Sequence, residues 1–226
     1  MQLDPDNKYM RTIQEQVNIN NAVILEIGCG TGRMTRDLAT HARKIVATDL
    51  DDALLKKAAT SIADANVEFL HTPGGRAEFP PGTFDFIIYT LSLHHIPESE
   101  MPGHLEHSGA MLTKNGAIVV IEPGNGGSFL EVKKRFGAGS GDERPLTEAA
   151  DRVIHRLHGW TCVSTCLFDV DFLFSDKNDF ISNKLPNHTA LETDKKIDLD
   201  RFLTKHETER GIILSSQRKL TVMRRG

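Results

Sequence analysis

Two stretches of the 226-residue chain gather residues able to do chemistry at short spacing. The first, Ala22 to Met34, reads A-V-I-L-E-I-G-C-G-T-G-R-M and sets Glu26 ahead of three glycines at alternate positions, Gly28, Gly30 and Gly32. An apolar run passing through such glycines into helix-forming residues reads as strand, tight turn, helix. Glycine has no Cβ, so a ligand can approach the backbone closely, and the turn feeds a helix N-terminus whose amides suit a carboxylate or phosphate. A small anionic ligand is expected there. The second stretch, L-S-L-H-H-I-P from Leu91 to Pro97, sets His94 beside His95 just after a predicted strand. Histidine titrates near neutral pH, so either ring could take a proton from a reacting group. His94 is the choice for a base because it is nearer the strand end, and its neighbour is then structural.

Other glycine-rich signatures are missing. In the dinucleotide fingerprint G-x-G-x-x-G/A the third small residue would fall at Arg33. The chain has no Gly-Lys pair, so the phosphate loop G-x-x-x-x-G-K-[ST] is absent as well. A formal net charge of -4 argues against a nucleic-acid partner. The polar N-terminal segment lacks a secretory core, and no apolar run reaches the ~20 residues of a membrane span, so a cytoplasmic protein is expected. Cys29, Cys162 and Cys166 make neither a disulfide framework nor a C-x-x-C metal knuckle, and His155 with His158 lacks acidic or cysteine company. No metal site is expected.

The elements that must position these residues follow from periodicity. Residues 4–17 read as a helix with Asp6 as its cap and Tyr9, Ile13 and Val17 as its apolar stripe. Strands are expected at 22–27, 44–49, 67–70, 83–90 and 117–121, with helices at 31–41, 51–65 and 101–112 between them. Lys114-Asn115-Gly116 is expected to close the third of these helices. Alternation of this kind makes a parallel sheet. Two further helices, 128–136 and 145–157, precede a β-rich segment at 159–174. A polar helical insertion spans 175–210, and a final strand is expected at 219–223. The chain suits one domain, 1–226.

Glu26-x-Gly28-x-Gly30-x-Gly32, followed 17 residues later by Asp49 at a strand end, with F-D and L-H-H downstream, resembles motif I and its surroundings in the class I S-adenosylmethionine-dependent methyltransferases. The likeness is to the small-molecule group that includes menaquinone and ubiquinone C-methyltransferases, and it covers roughly residues 20–123. It implies a Rossmann-like α/β fold: a mostly parallel seven-stranded sheet with helices on both faces and an antiparallel C-terminal strand. It further implies S-adenosyl-L-methionine as cofactor and a small-molecule methyl acceptor, in a monomer or homodimer. The implied cofactor contacts are Glu26, Gly28, Cys29, Gly30, Thr31, Gly32, Asp49, Leu50, Gly74 and Leu91. Glu26 would meet the ammonium or hold the turn, Asp49 would accept both ribose hydroxyls or cap the next helix, and Leu50 would cover the adenine. The N-terminal helix, residues 1–20, would act as a lid carrying Tyr9, and 175–210 would wall the acceptor pocket. One departure stands out: Pro73 occupies the place where the family carries an aspartate for the adenine amino group, which shifts that task to Gly74 or Glu78. A chain that binds the cofactor without turnover is the alternative.

Overall fold

The computed structural model describes every residue from Met1 to Gly226. In chain order the elements are β1 (Gln2–Leu3), α1 (Lys8–Gln16), β2 (Val23–Ile27), α2 (Arg33–Ala39), β3 (Lys44–Asp49), α3 (Asp52–Ser61), β4 (Val67–His71), β5 (Phe84–Thr90), a short 3-10 turn (Leu93–His95), α4 (Met101–Ala110) and β6 (Leu112–Pro123). Then come α5 (Ser128–Phe136), α6 (Arg144–Arg156), β7 (Trp160–Phe174), α7 (Lys177–Lys184), a second 3-10 turn (Pro186–Ala190), α8 (Thr193–Thr204), β8 (Glu207–Thr208) and β9 (Gly211–Arg225). The strands form one mixed sheet in the order β1-β7-β9-β6-β5-β2-β3-β4, with β8 added on β9. Seven strands are long and two have only two residues. No helix is long and apolar enough to cross a membrane.

The chain packs as two compact units. The larger comprises residues 12–122, 146–166 and 219–226. Its five strands β6-β5-β2-β3-β4 are all parallel, as the βαβ alternation requires. Strands covered on both faces read as continuous apolar runs, and Ile24, Leu25, Ile87 and Ile88 are each fully buried. Burying each such side chain contributes about 1.5–3 kcal/mol. The smaller unit comprises residues 1–11, 123–145 and 167–218. Its core is aromatic: Phe129 stacks on Phe172 with ring centroids 4.2 Å apart, and Phe174 meets Phe180 edge-on at 5.3 Å. The two helices of the 175–210 segment pack here through Phe180, Leu199, Phe202 and Leu203.

Several boundaries differ from expectation for local reasons. Asp4, not Asp6, caps α1, its two carboxylate oxygens accepting from the amides of Lys8 and Tyr9 at 2.7 and 2.9 Å. Helix α3 stops at Ser61 because Ile62 turns extended, with φ −128° and ψ 108°. Lys114-Asn115-Gly116 lies inside β6 rather than closing α4. There Phe84 faces Leu112 while Phe86 faces Ala117, a bulge that absorbs the extra residues. Strand β9 begins eight residues before the expected Lys219, the polar Ser215 to Arg218 continuing the alternation of the strand.

Candidate active site

The glycine turn hangs on two neighbouring strand ends. Gly28 and Cys29 both donate their amides to the Thr48 carbonyl at 2.9 Å, and Gly32 donates to the Cys29 carbonyl at 2.9 Å. Gly30 donates to Asp49 Oδ2 at 2.7 Å, while Asp49 Oδ1 accepts from the Asp51 amide at 2.8 Å. These four turn amides are therefore committed to protein acceptors, which corrects the expectation that they await an anion. Strand β3 ends alongside the turn, so the Thr48 carbonyl and the Asp49 carboxylate reach the donors first. What the turn offers a ligand is room. A Cβ on Gly28 would lie 2.5 Å from Ser92 Cβ, so that glycine serves packing; a Cβ on Gly30 would meet nothing within 4 Å. Both have positive φ, +76° and +57°.

Gly30 borders a cavity of about 700 Å³, well within the range of small-molecule sites. Of the residues singled out from sequence, Gly28, Gly30, Asp49, Leu50, Gly74, Leu91 and His95 line it. Glu26, Cys29, Thr31, Gly32 and His94 do not. Leu50, 67% exposed, is an apolar lining residue open to solvent. Leu91 takes a left-handed backbone, φ +56°, a costly conformation for a branched side chain and one that concentrates at functional sites. Pro73 lines the cavity as well, beside residues sequence reasoning passed over: Thr72, Ser92, Glu100 and His104. His104 is buried, and desolvation, then the nearby Arg76 charge, lowers its pKa, so its imidazole is neutral at pH 7. Its signal was present, because Met101, His104, Leu105 and Ser108 share one buried helix face.

Behind the turn, Glu26 is buried and accepts a 2.6 Å hydrogen bond from Thr35 Oγ1 on α2, which anchors the helix to the strand end. Burial pushes its pKa from 4.5 up to about 7, opposed in part by the Thr35 bond and the Arg33 charge. Between those values the folded chain holds a proton that the unfolded chain has lost, so stability falls as pH rises through this window and levels out above it. Glu26→Gln keeps an acceptor for Thr35 and removes the titration. In urea denaturation it is expected to match the wild type near pH ~4.5 and to exceed it by up to about 3 kcal/mol near pH ~8. Equal stabilities at both pH values would overturn this. Cys29 is buried, and desolvation followed by the Glu26 and Asp49 charges raises its pKa, keeping it a thiol. The helix after Asp49 is capped by Asp51, whose Oδ1 accepts from Ala53 and Leu54, which leaves Asp49 no capping duty.

The two histidines divide. His95 is exposed and lines the cavity, whereas His94 is 3% exposed and does not. His94 Nδ1 pairs with Glu122 Oε2, and its backbone amide reaches Glu122 Oε1 at 3.3 Å. The cavity-facing ring is thus the opposite of the one expected. The two rings sit on one 3-10 turn and touch, with centroids 4.1 Å apart and planes tilted by 45°. Tyr9, the expected lid residue, is fully buried within the smaller unit.

Comparison with known proteins bears on the fold and the family likeness. Residues 24–116 match the family described as a methyltransferase domain. An uncharacterized methyltransferase of Mycobacterium bovis is 29% identical over 113 residues, covering 50% of this chain and 56% of that protein. The chain spans about half the length of the curated relatives it matches. A putative methyltransferase from Bacillus halodurans superposes with a TM-score of 0.59 at 18% identity, covering 95% of this chain and 97% of the other. A SAM-dependent methyltransferase from Aquifex aeolicus does so with 0.58 at 14% identity, covering 95% and 88%. The fold is the Rossmann-like fold of these methyltransferase structures, and residues 24–116 are similar to a methyltransferase domain.

Proposed function

We infer that this chain transfers a methyl group from S-adenosylmethionine to a small-molecule acceptor. The observation that carries the reading is the open side of Gly30 facing a cavity that Asp49 also borders. Each Asp49 oxygen already accepts one amide but keeps a second lone pair, so the carboxylate can receive two adjacent ribose hydroxyls while still clamping the turn. Leu50 and Leu91 supply apolar cover for the adenosyl group. In the reaction the carbon–sulfur bond breaks as the acceptor's electron pair bonds to the methyl, and sulfur keeps the departing pair and loses its positive charge. Positioning and exclusion of water then do most of the work. The reading includes a cytoplasmic compartment and a monomer or homodimer, the latter measured by light scattering.

The test is calorimetry with S-adenosylhomocysteine and, separately, NADH. The first is expected to bind and the second not; the reverse would refute the reading. Asp49→Ala should weaken S-adenosylhomocysteine binding by about 10²- to 10⁴-fold, two bonds to a charged acceptor at ~1.5–3 kcal/mol each. Asp49→Asn, which retains one oxygen for the turn, serves where the alanine variant unfolds. Unchanged affinity in a folded variant would assign Asp49 to the turn alone. Pro73 favours a second reading, a cofactor-binding module without turnover. Methyl transfer against a metabolite panel separates the two.

A further inference from the structure

The cavity has a second end beyond Asp49, on the side away from the glycine turn. Strand β4 lies beside β3 with His71 opposite Asp49. The loop that follows is tied back at once: the Thr72 amide donates to the Asp49 carbonyl at 2.9 Å and the Gly75 amide to the Thr72 carbonyl at 2.7 Å. Thr72, Pro73, Gly74 and Gly75 wall this end, and His104 of α4 faces them from the same cavity. A Cβ on Gly75 would meet His104 Cε1 at 3.4 Å, whereas one on Gly74 would meet nothing within 4 Å. Cε1 is the atom between the two ring nitrogens, so the polar edge of the imidazole is turned to the loop, and Gly74 leaves room beside it.

His104 is only 7% exposed, yet neither ring nitrogen has a hydrogen-bond partner within the protein. A buried polar group is ordinarily paired, and leaving it unpaired costs free energy. Its neighbours in the cavity are committed already. Asp49 clamps the amides of Gly30 and Asp51, Ser92 donates to the Ile27 carbonyl at 2.6 Å, and Thr72 Oγ1 donates to the Asp49 carbonyl at 3.4 Å. Glu78, one of the two positions expected to take over from Pro73, does not border the cavity; its exposed carboxylate faces His107 Nε2 at 3.5 Å. Burial and then the Arg76 charge keep the His104 ring neutral against the opposing pull of Glu100, so one nitrogen carries a proton and the other a lone pair. Leu50, whose carbonyl meets the His71 ring at 3.1 Å, and Pro73 make this side of Asp49 apolar. An uncharged aromatic base suits it better than the charged amino-acid end of the cofactor does.

We propose that His104 reads the purine of the cofactor, one ring nitrogen accepting a hydrogen bond from the adenine 6-amino group, a task for which Pro73 has no acceptor. The proposal rests on the cofactor reading and makes His104 a specificity-determining residue. A site built to pair with an amino group rejects the analogue that lacks it, because the buried partner is then left unpaired.

Calorimetry compares S-adenosylhomocysteine with its analogue carrying hydrogen in place of the 6-amino group. Wild type is expected to prefer the amino form by about 10-fold, the worth of one hydrogen bond to a buried partner. His104→Leu extends the apolar face of α4 and should melt no lower than wild type. It should bind the two ligands within about 2-fold of each other, the loss falling on the amino form alone. His104→Gln keeps an acceptor and should recover part of the preference, and His104→Phe, closer to the imidazole in shape, replaces the leucine variant if that does not fold. A His104→Leu protein that keeps the wild-type preference, or a wild type that shows none, would overturn the proposal while S-adenosylhomocysteine binding still supports the cofactor reading. Glu100→Gln should leave the preference unchanged; its loss there would move the acceptor to Glu100 and overturn the proposal too. A wild type that binds neither ligand would refute the cofactor reading, and this proposal with it.

Discussion

Gly30→Val should abolish S-adenosylhomocysteine binding, by about 10³-fold or more, while the protein remains folded. The two effects separate because of where the new side chain goes. A Cβ at this position meets no protein atom within 4 Å and projects into the space where the cavity approaches the backbone. The protein itself bears only the strain of a branched residue at φ +57°, roughly 1–2 kcal/mol. At this chain length that lowers the thermal midpoint by about 2–4 °C per kcal/mol. Gly28→Ala should behave in the opposite way. Its Cβ would stand 2.5 Å from Ser92 Cβ, and Ser92 cannot swing aside because its hydroxyl donates to the Ile27 carbonyl at 2.6 Å. The cost there falls on folding. Calorimetry and melting of the two variants side by side provide the measurement. A Gly30→Val protein that binds as the wild type does would remove the turn from the cofactor site.

The parallel character of the sheet in the larger unit was legible because every signal pointed one way. Apolar runs at β2, β3 and β5, glycine after β2 and acidic residues after β3 all agree with a parallel core. The site was legible to the extent that it depends on backbone shape. Gly28, Gly30, Asp49 and Leu50 converge on one cavity because the turn and strand end that carry them are neighbours in the sheet. What sequence concealed was hydrogen-bond allocation. That Asp49 would clamp Gly30, and Thr48 take two turn amides, depends on the register of β2 against β3, where Ile27 faces Thr48. His104 was concealed for a different reason: it shares the buried face of α4 with Met101 and Leu105, where helical spacing marks a position as core and not as cavity lining. Arg218 lies just ahead of the expected final strand, and a buried charge there disguises the alternation of the strand that holds it.

His95→Ala should lower turnover by about 10²- to 10⁴-fold at saturating cofactor, the contribution of a positioned base, and should erase the acidic limb of the pH profile. His95 is the cavity-lining member of the pair, on a turn that follows the carboxyl end of β5, where ligands bind in open parallel sheets. His94→Ala should act on stability instead. Its ring faces the buried Glu122 carboxylate, and removing one member of a buried pair leaves the other without its counterpart, which costs about 3–5 kcal/mol. His94→Ala should therefore melt well below wild type, and whatever folded fraction remains should keep the wild-type pH dependence. Both variants are compared by methyl transfer against pH, with the acceptor found in the metabolite panel, and by urea denaturation. If His95→Ala retains near-normal turnover and an unchanged profile, no proton is taken at that ring, and catalysis rests on holding the acceptor in line with the sulfonium methyl.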